Sequence, residues 1–177
     1  MVMEPTDAGA PMDIEQIARF MQDHSLTLVT AESCTAGLIA STVADVEGAG
    51  QLLDCAFVTY SPSAKQKCLG VDPKTIEKFN LTSEEVAREM ALGALNCGNA
   101  NLAVSNTGVT DSVDPKVPSG TQCFAWIFVD KAGGRTTFSE TRRFSGDRNG
   151  IRRDSAAYAL SRIPELYRRR AARAAVA

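Results

Sequence analysis

Residues 26–37 read LTLVTAESCTAG. Leu26 to Thr30 is a run of apolar and β-branched residues of the kind that forms a buried strand, and it ends in an acid, two hydroxyls and a thiol at Glu32, Ser33, Cys34 and Thr35. The next segment, CTAGLIASTVADV, is apolar enough to be a helix packed on a sheet. A buried strand that passes through a polar turn into a helix is the repeating step of an α/β sheet, and such sheets bind ligands at the carboxyl ends of their strands.

The same alternation continues on both sides. Asp13 can cap IEQIARFMQDH, in which Ile14, Ile17, Ala18 and Met21 recur at helical spacing. VEGAGQLL breaks the second helix at Gly48 and Gly50, and DCAFVTY is a second strand. In SPSAKQKCL, Ser61 can cap and Pro62 fits the first turn of a short helix. LTSEEVAREMALGALNC has Thr82 or Ser83 before a Glu pair and places Val86, Met90, Ala94 and Cys97 on one face of a helix. NLAVSNTG is a third strand, and CFAWIFVD and RTTFSETRRF, joined by KAGG, read as a hairpin. GDRNGIRRDSAAYALSRIPELYRRR closes the chain as a helix that Pro164 kinks or interrupts. The pattern predicts a mixed sheet with helices on both faces, in a single domain over residues 13–167 with a leader at 1–12 and a basic tail at 168–177.

The 177 residues are 44% hydrophobic and 23% charged, which suits one core. A net charge of -2 supplies no general basic field, so nucleic acid is not an expected partner. No apolar run reaches the roughly 20 residues that span a bilayer, and the leader lacks the pattern of a signal peptide, so a cytoplasmic protein without a membrane partner is expected. Cys34, Cys55, Cys68, Cys97 and Cys123 are odd in number and scattered; free, mostly buried thiols are expected. His24 has no Cys or His neighbour at ligand spacing, which argues against a metal site.

If the three strands are parallel neighbours, Glu32, Ser33, Tyr60, Lys65 and Thr107 collect along one rim. Ser33 and Cys34 are both candidate nucleophiles, and only one of them can face a given cleft. His24 precedes the first strand and should lie at the opposite rim, so a Ser-His-Asp triad is not expected. Lys65 can take the role of base if burial lowers its pKa. The alternative is that Ser33 is an N-cap and Lys65 a surface lysine. The helix start beside Thr35 and Gly37 offers N–H groups to an oxyanion or a phosphate. Arg148, Arg152 and Arg153 oppose the dipole at the start of the last helix, which calls for a bound anion or an ion pair with Asp147 or Asp154; Arg152 and Arg153 cannot both face the cleft.

Five stretches in order, TAESCTAG, GAGQLLDCAFVTYSPSAKQKCLGV, LTSEEVAREMALGA, AVSNTG and FSGDRNGIR, resemble the C-terminal domain of the competence-damage-inducible CinA proteins, the family of nicotinamide mononucleotide (NMN) deamidases. The resemblance covers Ile14 to Leu166. It implies a three-layer α/β/α fold with a mixed, mostly parallel sheet of about five strands, a homodimer, and hydrolysis of the NMN carboxamide without a cofactor or metal. It implies that Ser33 and Lys65 are the catalytic pair, assisted by Tyr60 and Thr107. Substrate contacts are expected from Glu32, Cys34, Thr35, Gly108 and Arg148.

The chain departs from the family pattern at three places. Ala36 stands where the family has a glycine, which is unstrained if its φ is negative. Pro62 replaces an asparagine. TGVTDSVDPKVPSGT replaces a glycine-rich TGIAGPGGG stretch and brings Asp111 and Asp114 towards the site. Two such carboxylates would each repel a phosphate by roughly 1 kcal/mol at 4 Å in water-like dielectric. This opens two other readings: a silent binding or regulatory protein, and an amidase for another substrate.

Overall fold

The structure, a computed structural model, describes residues 13–174; the predicted leader and the last three residues of the predicted tail lie outside the described residues. β1 (Leu28–Glu32) is buried along its whole length. It pairs in parallel with β2 (Leu53–Val58) on one side and β3 (Leu102–Gly108) on the other. β4 (Thr121–Val129) is antiparallel to β3, and β5 (Arg135–Arg143) is antiparallel to β4, giving a mixed five-stranded sheet in the order β2-β1-β3-β4-β5. With β1 between β2 and β3, the polar ends of all three strands meet at one rim.

Because strand residues alternate between faces, the sheet supports two cores. Leu28, Val104, Phe124 and Trp126 pack with Ile17 and Met21 of α1 (Ile14–Asp23), Ile39 and Val43 of α2 (Leu38–Ala44), and Leu160 of α6 (Arg148–Ser161). α7 (Ile163–Ala174) joins this layer through Ile163 and Leu166. On the other face Val29, Ala31 and Ala125 pack under Val86, Met90 and Ala94 of α5 (Glu84–Cys97), flanked by α3 (Pro62–Leu69) and α4 (Pro73–Phe79). Gly93 lies in the interior of α5 because a Cβ there would stand 1.9 Å from the Leu69 carbonyl oxygen. That close approach seats α3 against α5.

Local signals explain the helix starts. Asp13 accepts the Gln16 N–H in a capping box, Ser61 caps α3 ahead of Pro62, and Ser83, not Thr82, caps α5. α4 is an addition to the elements expected above, and its signal is the one used for α3: Asp72 accepts the Lys74 N–H and Pro73 follows it. The final helix is two, α6 and α7, with Pro164 in the first turn of α7; the first part of the basic tail, through Ala174, continues α7 as helix.

Three local expectations are corrected. α2 starts at Leu38, not at Cys34, because residues 33–37 form a tight turn. Ala36 in that turn has a φ of 48°, in the left-handed region where glycine is favoured, so the family's glycine there has a conformational reason and alanine is strained. The free thiols are not mostly buried: Cys34 and Cys123 are, but Cys68 and Cys97 are exposed, Cys97 at the last turn of α5. His24 stacks on Phe20 at 4.1 Å between ring centroids and meets the edge of Tyr167 at 4.6 Å, at the rim where β1 begins. Among the described residues no helix is long and apolar enough to cross a membrane.

Candidate active site

Ser33 follows β1 directly, and Lys65 stands one turn into α3, which follows β2. Lys65 Nζ lies 2.9 Å from Ser33 Oγ, 2.7 Å from the Thr59 carbonyl oxygen and 3.4 Å from that of Tyr60. Lys65 is 1% exposed, and its hydrogen-bond partners are a hydroxyl and two carbonyls, with no carboxylate among them. Burial disfavours the cation and lowers its pKa from 10.5 to about 8. This geometry replaces the alternative of a surface lysine beside a capping serine, since the N-cap of α2 is Gly37.

Glu32 points to the opposite face of β1 and is a structural carboxylate. Its oxygens accept from Thr30 Oγ1 (3.0 Å), Thr35 Oγ1 (2.7 Å) and the N–H groups of Gly37 (2.8 Å), Ile39 (3.1 Å) and Ala40 (2.9 Å). The start of α2 is therefore filled by the protein's own anion. The expected use of these N–H groups for a phosphate or oxyanion, and the expected substrate contacts of Glu32 and Thr35, are not what the structure builds. Thr35 is fully buried and spends its hydroxyl on Glu32.

The turn itself is held from β3 and β4. The Asn106 carbonyl accepts the Ser33 N–H at 2.9 Å, and Asn106 Oδ1 accepts the Thr35 N–H at 3.1 Å. Asn106 Nδ2 donates to Gln122 Oε1, and Gln122 Nε2 donates to Cys34 Sγ at 3.3 Å and to the Val109 carbonyl at 3.1 Å. Cys34 is 5% exposed, and burial raises its thiol pKa against the opposing pull of Gln122, Arg148 and Arg152. A thiol held protonated in this way is a poor nucleophile. Gly108 admits Gln122, since a Cβ there would stand 2.2 Å from Gln122 Oε1.

A cavity of about 240 Å³ opens onto this pair, lined among others by Ser33, Tyr60, Lys65, Thr107, Gly108 and Arg148. Thr107 Oγ1 donates to the Leu81 carbonyl at 2.9 Å, tying the end of β3 to the segment before α5. Arg148 at the rim donates to Thr110 Oγ1 at 2.9 Å and to the Tyr60 hydroxyl at 3.0 Å. Arg152 turns away from the cavity to the Cys34 and Thr35 carbonyls, Arg153 is exposed, and Asp147 caps α6. Of the two loop acids only Asp111 lines the cavity, where it accepts from Thr110 Oγ1 at 3.3 Å; Asp114 holds the Lys116 N–H at 2.9 Å. Asn106, Thr110 and Gln122 are the site residues that the sequence reading does not single out. Among the described residues no group of three or more His, Cys, Asp or Glu side chains is placed to hold a metal ion.

The family model of the CinA C-terminal domain matches residues 13–167. The chain belongs to the CinA C-terminal domain family. The nicotinamide-nucleotide amidohydrolase PncC of Escherichia coli K12 is 38% identical over 160 residues, 89% of this chain and 94% of that protein. A putative competence-damage inducible protein of Symbiobacterium thermophilum is 38% identical over 155 residues, 84% of this chain but only 36% of that protein, so this chain spans about a third of it. The crystal structure of the competence/damage inducible protein CihA of Agrobacterium tumefaciens superposes with a TM-score of 0.77 at 33% identity, covering 90% of this chain and 99% of that one. This chain therefore shares its fold with that protein.

Proposed function

We propose that the protein is an amidohydrolase that converts NMN and water to nicotinate mononucleotide and ammonia. The observation that carries the reading is the 2.9 Å contact between Ser33 Oγ and Lys65 Nζ inside a cavity. The names of full-length relatives such as PncC support the substrate class. Neutral Lys65 takes the Ser33 proton as Oγ attacks the carboxamide carbon, and gives it to departing ammonia; water then releases the acid from the acyl-enzyme. The Ser33 carbonyl accepts the Ala36 N–H at 3.1 Å, which turns the Cys34 N–H of the same trans peptide the other way. That N–H, next after the nucleophile, is the oxyanion donor in this mechanism.

The cavity, at about 240 Å³, falls below the range of about 300–1,000 Å³ usual for ligand pockets, so it encloses the pyridine end while the phosphate reaches exposed Arg148 at the rim. With Asp114 engaged in its own loop, the repulsion expected of two carboxylates reduces to Asp111 alone. This favours an active amidase over a silent binding protein. A homodimer in the cytoplasm belongs to the same proposal, with sedimentation velocity as the check on assembly.

The test is ammonia release from NMN, with acid-quenched protein digested and weighed for an acyl adduct. Release together with a Ser33 adduct is expected. No release from NMN or other pyridine carboxamides by folded protein would leave the binding reading, and an adduct on Cys34 would exchange the nucleophile. The rate should also carry the signature of Lys65. Its pKa is lowered, so the cation persists below about 8 and the base form emerges above it. The rate should therefore rise with pH through a midpoint near 8 and level off beyond it; a flat profile between pH 6 and 9 would remove Lys65 as the base.

A further inference from the structure

Arg152 is half-buried in the fifth position of α6, and its fork is aimed at the backbone of the nucleophile turn. Nε donates to the Cys34 carbonyl at 2.9 Å and Nη2 to the Thr35 carbonyl at 3.3 Å; Nη1 reaches Asn149 Oδ1 at 3.5 Å. From the opposite side Asn106 takes the Ser33 and Thr35 N–H groups. The peptide between Cys34 and Thr35 is thus gripped from both sides, its carbonyl from α6 and its N–H from β3, and the next carbonyl is held from α6 again. Since the Cys34 carbonyl points to α6, the Thr35 N–H of that trans peptide points to β3, as observed. The torsions on either side of Cys34 are set by these two grips, and they aim the Cys34 N–H.

A turn that contains Ala36 at a φ of 48° needs such restraint, because its own torsions do not favour it. The planar fork also suits two neighbouring carbonyls in a way that a lysine point charge does not. We propose that Arg152 is a positioning residue for amide hydrolysis: it touches no reacting atom, but holds the peptide plane after Cys34 and so, through the Cys34 torsions, aims the preceding plane, whose N–H receives the oxyanion. The proposal rests on the amidase reading above, and it adds a residue of this chain to the machinery. Groups that fix donors around developing charge act on the transition state more than on bound substrate.

The experiment compares Arg152→Gln and Arg152→Lys with the wild type in kcat, KM and melting temperature on NMN, and in the rate at which a small fluorophosphonate labels Ser33. In the labelling step Ser33 Oγ attacks phosphorus, fluoride leaves and Lys65 takes the proton, so it reports the same turn without a pyridine substrate. Arg152→Gln should lower kcat about 30-fold with KM changed less than about 3-fold, and slow labelling to a similar degree. Arg152→Lys should recover only part of both, at a melting temperature equal to that of the wild type. A rise in KM at constant kcat would make Arg152 a substrate contact and overturn the proposal. So would unchanged kcat and labelling in both variants, or losses that follow melting temperature alone. If NMN is not hydrolysed at all, labelling still decides: a slowed Arg152→Gln keeps the positioning role while the substrate reading fails, and wild type that neither labels nor hydrolyses ends both.

Discussion

Ser33→Ala and Lys65→Met should each lower ammonia release by a factor on the order of 10⁴ or more, and only Lys65→Met should make the protein more stable. In the proposed mechanism Ser33 and Lys65 are nucleophile and base and act as a unit, so losing either removes nearly all of their joint effect. Their effects on folding differ. Ser33 is a small hydroxyl whose loss leaves a nearly unchanged turn. Lys65 is a buried ammonium held by a hydroxyl and two carbonyls, and the desolvation that lowers its pKa to about 8 is a penalty on the folded state. Methionine fills the same volume without charge, and its melting temperature at neutral pH should be a few degrees higher, net of the donors lost to the Thr59 and Tyr60 carbonyls.

The pH dependence gives this prediction a sign. Between about 8 and 10.5 the unfolded chain keeps the Lys65 proton that the folded protein has released, so wild-type stability rises with pH across that window relative to Lys65→Met. Below 8 both states are protonated and the difference is constant. Urea titrations of both proteins at pH 7 and pH 10 measure it. A wild type that is the more stable of the two at pH 7 would show that the hydrogen bonds of Lys65 outweigh its desolvation.

The second large effect is on the fold. Glu32→Ala should destabilise the protein by about 3–5 kcal/mol, because it leaves buried donors without their shared acceptor. The donors are Thr30 Oγ1, Thr35 Oγ1 and the N–H groups of Gly37, Ile39 and Ala40. At this chain length the loss corresponds to a fall in melting temperature of roughly 10 °C or more. Glu32→Gln should lie between, since its amide keeps one acceptor oxygen but turns an NH₂ group towards donors. Activity should fall in step with folded fraction, and calorimetry beside ammonia release would show it. A Glu32→Ala protein that melts normally but lacks activity would return Glu32 to the substrate.

Much of this site could be read in the sequence because its parts lie at strand ends. A buried strand that stops in AESCT, and another that stops before YSPSAK, need only to be neighbours for Ser33 and Lys65 to meet, and β1 and β2 are neighbours. What could not be read depends on distant partners. Arg152 meets the Cys34 carbonyl across 118 positions of chain, and Asn106 meets the Thr35 N–H across 71. No local pattern announces such contacts. Glu32 misled for a related reason: a carboxylate beside a nucleophile has the chemistry of a site residue, and only its filled oxygens reveal a cap. The φ of Ala36 is likewise set by the turn that Glu32 organises. α4 was legible in principle, since Asp72 and Pro73 carry the same start signal as Ser61 and Pro62.

The segment from Asp111 to Ser119 stands apart from this machinery. Its Ser112, Asp114, Lys116 and Val117 bond among themselves and to Ser119, and Val113 is fully exposed. Ser33, Lys65, Asn106, Gln122 and Arg152 are gripped by strands and helices on the other side of Thr110. On the proposed amidase reading, the residues of the reaction are thus fixed by the sheet and its helices, and the loop meets the cavity through Asp111. Because those nine positions bond mainly among themselves, they can change while the Ser33 hydroxyl and the Lys65 amine stay in register.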